Sequence, residues 1–279
     1  MNLRIYCINL KSRPDRWERF SKQPGLANFT ETFPFERVEG VDGKQIDIAN
    51  DARVSVRTRR NILFSKRRDH EDLDSAGGVG CYLSHYTVWT KFSQSPDDAC
   101  LIFEDDAYIT PTLFQQLETA WTDLASLGEK QPDVWILSNK FGGRMSAILG
   151  TDTSEKLGVW ETNVHAPNTA YIVFKRGVQK LIDNALPVDG HLDHYMYRLA
   201  QLGIITHVHH DKVNVYQYSL GNPFFRDSDI QVKSSCDICD IPDNPTKQGY
   251  FILTNQNKMS LAIVAAGLCT LYFLQQKLR

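Results

Sequence analysis

Net charge is nearly absent from this 279-residue chain, because 31 Lys and Arg oppose 33 Asp and Glu to leave −2. A protein organised throughout to grip a polyanion carries a large basic excess, so that class is excluded. Cysteine is also sparse: the six present are too few and too scattered for a disulfide scaffold. Cys7, Cys81 and Cys100 sit inside apolar patterns, as expected of reduced, packed thiols. Only Cys236 and Cys239 form a CxxC pair, and with no second pair nearby a plain loop role is expected there rather than a zinc ribbon. There is no low-complexity tract and no internal repeat, which excludes solenoids and arrays. The opening MNLRIYCINL lacks the basic leader, extended apolar region and small-residue cleavage site of a secretory signal. What is present is a hydrophobic content of 42%, ample for the core of one large domain or two small ones.

Long apolar runs are missing too, with one exception. Residues 259–274, MSLAIVAAGLCTLYFL, carry no charge between Lys258 and Lys277. A helix of 16 residues rises about 24 Å against a hydrocarbon core of ~30 Å. Gln275, Gln276 and snorkelling lysines reduce that shortfall. The run is apolar all round rather than on one face, unlike a helix packed on a core. It is therefore expected to be a single-pass C-terminal transmembrane helix over 259–276, reached through an extension and linker at 232–258. The preceding residues, 1–231, are then expected on the cytosolic side of a membrane.

Within 1–231, apolar runs alternate with helical patterns. Strands are expected over 5–10, 35–38, 99–103, 134–138, 170–174, near 204–208 and over 213–218. Helices are expected from Pro14, from about Val79, from near Pro111 and across 177–202. Such alternation predicts an α/β fold with a mostly parallel central sheet covered by helices on both faces. Ligands of these sheets lie at the carboxyl ends of strands, so the residues just after each strand carry most interest.

Three strand ends have chemistry in them. In the first, Ile8-Asn9-Leu10-Lys11-Ser12-Arg13-Pro14-Asp15-Arg16 turns from a strand into a helix, with Pro near its first turn. Helix amides with Arg13 and Arg16 suit a diphosphate or a nucleotide edge, although a solvated surface turn reads the same way. In the second, Glu104, Asp105 and Asp106 follow an apolar strand directly. Adjacent carboxylates repel unless a divalent cation or several donors compensate, and oxygen ligands suit Mn²⁺ or Mg²⁺. An acidic loop capping the next helix is the alternative. In the third, Asp189 and Asp193 stand at the start of a helix, where an aspartate caps or faces a site.

These segments, in order and at these intervals, resemble glycosyltransferase family 25, the group of lipooligosaccharide and procollagen galactosyltransferases. The resemblance rests on INLKSRPDRWERF, GVDGKQID, GGVGCYLSHYTVW, LIFEDDA, NTAYIVFKRGVQKLI and QYSLGNPFFRDSDI, and it covers roughly residues 3–231. It implies a GT-A-type nucleotide-sugar-binding fold, a UDP-sugar donor and an inverting transfer of a hexose to a glycan, glycolipid or glycoprotein acceptor. It also implies that Asn9, Leu10, Arg13 and Arg16 border the donor, that Glu104 and Asp105 approach the ribose, and that Asp106 with Glu104 binds the metal. Ser84 and His85 become candidate donor or acceptor contacts. This chain has two aspartates, Asp189 and Asp193, where the family usually shows one, so the general base lies between them. LDHYM resembles the family's Asp followed by an aromatic and a hydrophobic residue, which favours Asp193.

Inverting sugar transfer needs a base to take the acceptor's hydroxyl proton and an electrophile for the departing diphosphate, and carboxylates and a cation fill those roles. His207, His209 and His210 cluster near a strand end, and His210, furthest out, is a candidate further metal ligand. Residues 53–68 hold seven basic residues and no acid. With Phe64 as the only aromatic, nucleic-acid binding is not expected, and a mobile loop over the site or a face toward anionic lipid is. A non-catalytic nucleotide-sugar or glycan-binding module of the same fold is the alternative function.

Overall fold

The buried run Leu3–Asn9 (β1) is apolar on both faces, as a strand covered on both sides must be, and it forms one of the inner strands of an eight-stranded sheet. The structure, a computed structural model, describes residues 2–66, 72–138, 145–147, 156–162, 167–218 and 230. They belong to one compact unit, and a second unit made of Arg67–His70 with Lys233–Arg279 lies outside the described residues. The expected transmembrane helix at 259–276, the linker at 232–258 and the Cys236–Cys239 pair lie outside them as well. Among the described residues no helix is long and apolar enough to cross a membrane.

After β1 the chain runs through α1 (Pro14–Ser21), α2 (Ala27–Thr32), β2 (Phe35–Glu39), α3 (Val56–Leu63), α4 (Ala76–Ser93), β3 (Ala99–Glu104) and β4 (Ala107–Tyr108). It continues through α5 (Leu113–Ala125), β5 (Val134–Ile136), β6 (Met145–Ala147), β7 (Val159–Thr162) and β8 (Ala170–Phe174). The last described elements are α6 (Lys175–Ala185), α7 (Leu192–Gln201), β9 (His207–His210) and β10 (Tyr216–Gln217). The main sheet has the order β2-β1-β3-β8-β5-β9-β7-β6, and β4 with β10 makes a separate two-stranded ladder.

β1 pairs in parallel with both β2 and β3, and β5 with β9, whereas β8 and β7 are antiparallel to each of their neighbours. The α/β expectation holds, with these two strands reversed within a sheet whose others run one way. Strand alternation sorts the core into two layers. Leu3, Ile5 and Cys7 join Phe20, Phe29 and Leu117 of α1, α2 and α5, while Tyr6 and Ile8 join Tyr82, Trp89, Leu181 and Met196 of α4, α6 and α7.

Two expectations change. The basic stretch at 53–68 is not a loop in its described part: Ser55 caps α3 by accepting from the Thr58 amide. Its arginines also have partners, Arg53 on Asp51 and Arg57 on Asp72 and Asp189. The strand expected at 213–218 shortens to β10, with Val215 making a single bridge to Ser138.

Candidate active site

The carboxyl ends of β1, β2 and β3 lie side by side, since Asn9 is paired with Glu39 and Ile8 with Glu104. At that edge opens a cavity of about 300 Å³, lined by the β1 end, the Gly40–Lys44 turn, the first turns of α4, the three acids and Gln217. The turn after β2 reaches it because the first turns of α4 meet that turn backbone to backbone. A Cβ on Gly80 would lie 2.5 Å from the Val41 carbonyl oxygen, and one on Gly43 would lie 2.0 Å from that of Ala76. Glycine is what permits this approach. Ser84 fastens the same junction, accepting from the Val41 amide at 2.8 Å and donating to the Gly80 carbonyl at 2.7 Å.

The three consecutive acids have three different environments. Asp105 is buried and turned toward β1 and α1. It accepts from Asn9 Nδ2 at 2.5 Å and from Arg16 Nη1 at 3.2 Å. Burial raises its carboxyl above the usual range, and those two donors oppose the rise. Asn9 is held in turn, donating to the Arg13 carbonyl at 3.0 Å and accepting from Arg37.

Glu104 ends a relay that crosses the core. Trp89 Nε1 donates to the Tyr171 hydroxyl at 3.0 Å, and that hydroxyl lies 2.6 Å from His85 Nδ1. His85 Nε2 is 3.1 Å from Glu104 Oε1. The consistent assignment has the tyrosine donating to Nδ1 and a protonated Nε2 donating to the carboxylate. Cys81, one helical turn before His85, brings its Sγ to 3.7 Å from the same Oε1. Burial holds the Cys81 thiol well above its usual range, with the charges of Glu104 and Asp193 adding to the effect.

Asp106 is the least satisfied of the three. Gln217 Nε2 donates to its Oδ2 at 2.7 Å, and the β4–β10 ladder positions that amide. Among the described residues, its buried Oδ1 has no hydrogen-bond partner. Burial first, then the charge of Glu104, push the Asp106 carboxyl from 3.8 up to about 7. A half-compensated carboxylate beside a second one is the arrangement that a divalent cation completes, so these residues fit a hard metal ion.

The cavity thus brings together Leu10, Arg16, Ser84, His85, Glu104, Asp105 and Asp106, with Asn9 directly behind Asp105. Arg13 does not line it; its guanidinium makes two bonds to Asp15, at 3.0 and 2.8 Å. His210 is elsewhere, against α5, with Nε2 at 3.0 Å from Asp123 Oδ2 and Nδ1 accepting from the Lys212 amide at 3.1 Å. Both ring nitrogens are engaged there, and burial lowers its pKa. Asp189 ties α3 to the chain entering α7, accepting from Ser55 Oγ at 2.6 Å and pairing with Arg57 at 2.8 Å. Asp193 stands in the first turn of α7, with Oδ1 accepting from the His194 amide at 3.1 Å.

Sequence reasoning passed over Tyr171, Trp89, Gln217 and Cys81. The last had a readable signal, because Cys81 and His85 are spaced four apart on a helix and so share a face.

The family model for glycosyltransferase family 25 (LPS biosynthesis protein) matches residues 2–196. Procollagen galactosyltransferase 1-A of Xenopus laevis is 28% identical over 200 residues, covering 66% of this chain and 30% of its own. A glycosyltransferase 25 family member of Drosophila melanogaster is 30% identical over 139 residues, 46% of this chain and 21% of its own. The chain therefore spans under a third of the length of these two relatives. Among solved structures, galactosyltransferase LgtC in complex with donor and acceptor sugar analogs gives a TM-score of 0.39 at 10% identity, covering 74% of this chain and 72% of that one.

Proposed function

This chain belongs to glycosyltransferase family 25, and from that membership we propose that it is a metal-dependent, inverting hexosyltransferase of GT-A type. The donor in this reading is a UDP-sugar carrying galactose or glucose, and the acceptor is a hydroxyl of a glycan, glycolipid or protein. The observation that carries the reading is Asp106, whose Oδ1 is buried at the cavity without a partner among the described residues while burial, and then Glu104, raises its carboxyl. Asp106 and Glu104 are the residues that would hold Mn²⁺ or Mg²⁺. When bound, the ion supplies Lewis-acid stabilisation of the charge that develops on the leaving diphosphate.

The remaining work falls to the protein. Asp105, clamped by Asn9 and Arg16, fixes the β1 and β3 ends at one spacing and presents a rigid edge to the nucleoside. The Trp89–Tyr171–His85 relay holds Glu104 in one orientation. Asp193 is the preferred general base, its carboxylate taking the acceptor's hydroxyl proton. Its charge reaches the cavity, since it contributes to raising the Cys81 thiol. Asp189, already shared between Ser55 and Arg57, serves better as a link between α3 and α7.

The test is release of UDP from a panel of UDP-sugars with Mn²⁺ and an acceptor mixture. Transfer is expected with one donor, with Asp193→Asn losing at least ~10²-fold in kcat while still binding UDP. Wild-type turnover in that variant would remove Asp193 from the role. No UDP release with any donor would contradict the whole reading.

We further propose that the apolar run at 259–276 attaches the domain to a membrane, which its uncharged composition supports. Co-sedimentation with liposomes checks this: binding is expected for the full chain and lost on truncation after Asn257, and equal binding by both would contradict it.

A further inference from the structure

Cys81, His85 and Glu104 place one sulfur, one nitrogen and one oxygen within 4.8 Å of one another at the cavity wall. We propose that these three side chains form a second cation site, selective for a thiophilic dication of the Zn²⁺ class and separate in chemistry from the oxygen ligand Asp106.

Bonds of 2.0–2.3 Å from Zn²⁺ to nitrogen, oxygen and sulfur put the corners of a tetrahedron about 3.3–3.8 Å apart. Glu104 Oε1 is 3.1 Å from His85 Nε2 and 3.7 Å from Cys81 Sγ, so two edges of the triad already stand close to those separations, and the third, from Cys81 to His85, is within 4.8 Å. The triad is carried by rigid elements, since Cys81 and His85 are one turn apart on α4 and Glu104 ends β3. The fourth corner opens toward the cavity that all three residues line. Thiolate and imidazole select a borderline-soft ion, whereas Mn²⁺ and Mg²⁺ prefer carboxylates and water.

Binding at His85 Nε2 needs the tautomer with its proton on Nδ1, and that proton has a ready acceptor. The Tyr171 oxygen lies 2.6 Å away and has a second lone pair beyond the one that meets Trp89. This is the outer-sphere arrangement that usually orients a metal-bound histidine. The thiol proton leaves to solvent as the Cys81–metal bond forms.

Glu104 cannot serve both ions at once, so a thiophilic ion at this triad would inhibit the transfer reaction. That consequence rests on the proposed function, but ion binding itself does not.

The full-length chain carrying Cys236→Ser and Cys239→Ser, freed of metal and kept reduced, is titrated with Co²⁺. A thiolate-to-cobalt charge-transfer absorption is expected, abolished stoichiometrically by Zn²⁺. It should persist in Asp106→Asn and vanish in Cys81→Ala, whose Zn²⁺ affinity falls at least ~10-fold. A variant-free check is alkylation of Cys81 by iodoacetamide, followed by mass spectrometry and slowed at least ~10-fold by Zn²⁺. No charge-transfer band, a band that survives Cys81→Ala, or alkylation indifferent to Zn²⁺ would each overturn the proposal. A band in a chain that releases no UDP from any donor would leave this site standing and remove the transferase reading instead.

Discussion

Asp106 illustrates how one residue links stability to chemistry. Its carboxyl is pushed from 3.8 to about 7, first by burial and then by Glu104. Between those pH values the folded chain retains a proton that the unfolded chain has released, so stability from this group falls as pH rises through the window. The metal-free thermal midpoint is therefore expected to drop between about pH 4 and 7, and Asp106→Asn is expected to flatten that drop. An unchanged slope in the variant would exclude this cause. Tyr171 makes a complementary case, because its hydroxyl serves both Trp89 and His85. Tyr171→Phe strands two buried polar groups, which costs about 1–3 kcal/mol by chemical denaturation. It also loosens Glu104, so kcat is expected to fall by about tenfold with donor KM changed less; a loss of stability with unaltered kcat would leave the relay purely structural. Asn9 and Asp106 were legible in the sequence because they sit at and just beyond the ends of apolar strands. Tyr171 and Gln217 were not, since their partners His85 and Asp106 are 86 and 111 residues away.

Among the elements, α4 organises the cavity. Its start was legible only to within a turn: apolar periodicity points to Val79, but Ser75 caps the helix from the Gly78 amide at 3.1 Å and α4 begins at Ala76. The glycines that conceal those first turns from a periodicity reading are the ones the fold needs. Gly80→Ala would set a Cβ 2.5 Å from the Val41 carbonyl and 2.7 Å from the Gly43 amide nitrogen. Backbone on both sides cannot yield as a side chain would, so a loss of about 1–3 kcal/mol in urea unfolding is expected. Weakened donor binding should accompany it, because the Gly40–Lys44 turn forms one wall of the cavity; wild-type stability would show that the turn can retreat freely. α3 was illegible for the opposite reason. Val56 and Leu63 are exposed and Ile62 is its one apolar residue packed on the core, so the helix shows no apolar stripe, and the Ser55 cap and Arg57's bonds to Asp189 help to hold it.

For the molecule as a whole, the alternation of strands and helices foretold the α/β layers. The reversal of β8 could not be read, because an apolar strand buried on both faces looks alike in either direction, and β7, with Trp160 and Glu161 only half-buried, was not among the expected strands. The near-neutral charge of the chain conceals an uneven distribution, with Asp42, Glu104, Asp105 and Asp106 at one cavity and, among its described lining residues, only Arg16 and Lys44 to oppose them. Four carboxylates facing two bases at one sheet edge make a site whose occupancy by an anionic donor depends on a cation. Calorimetry of UDP binding to the full chain, with and without Mn²⁺, tests that dependence most directly. Binding is expected only with Mn²⁺ in the wild type and in neither condition for Asp106→Ala, whereas equal UDP affinity without the metal, or in the variant, would contradict it.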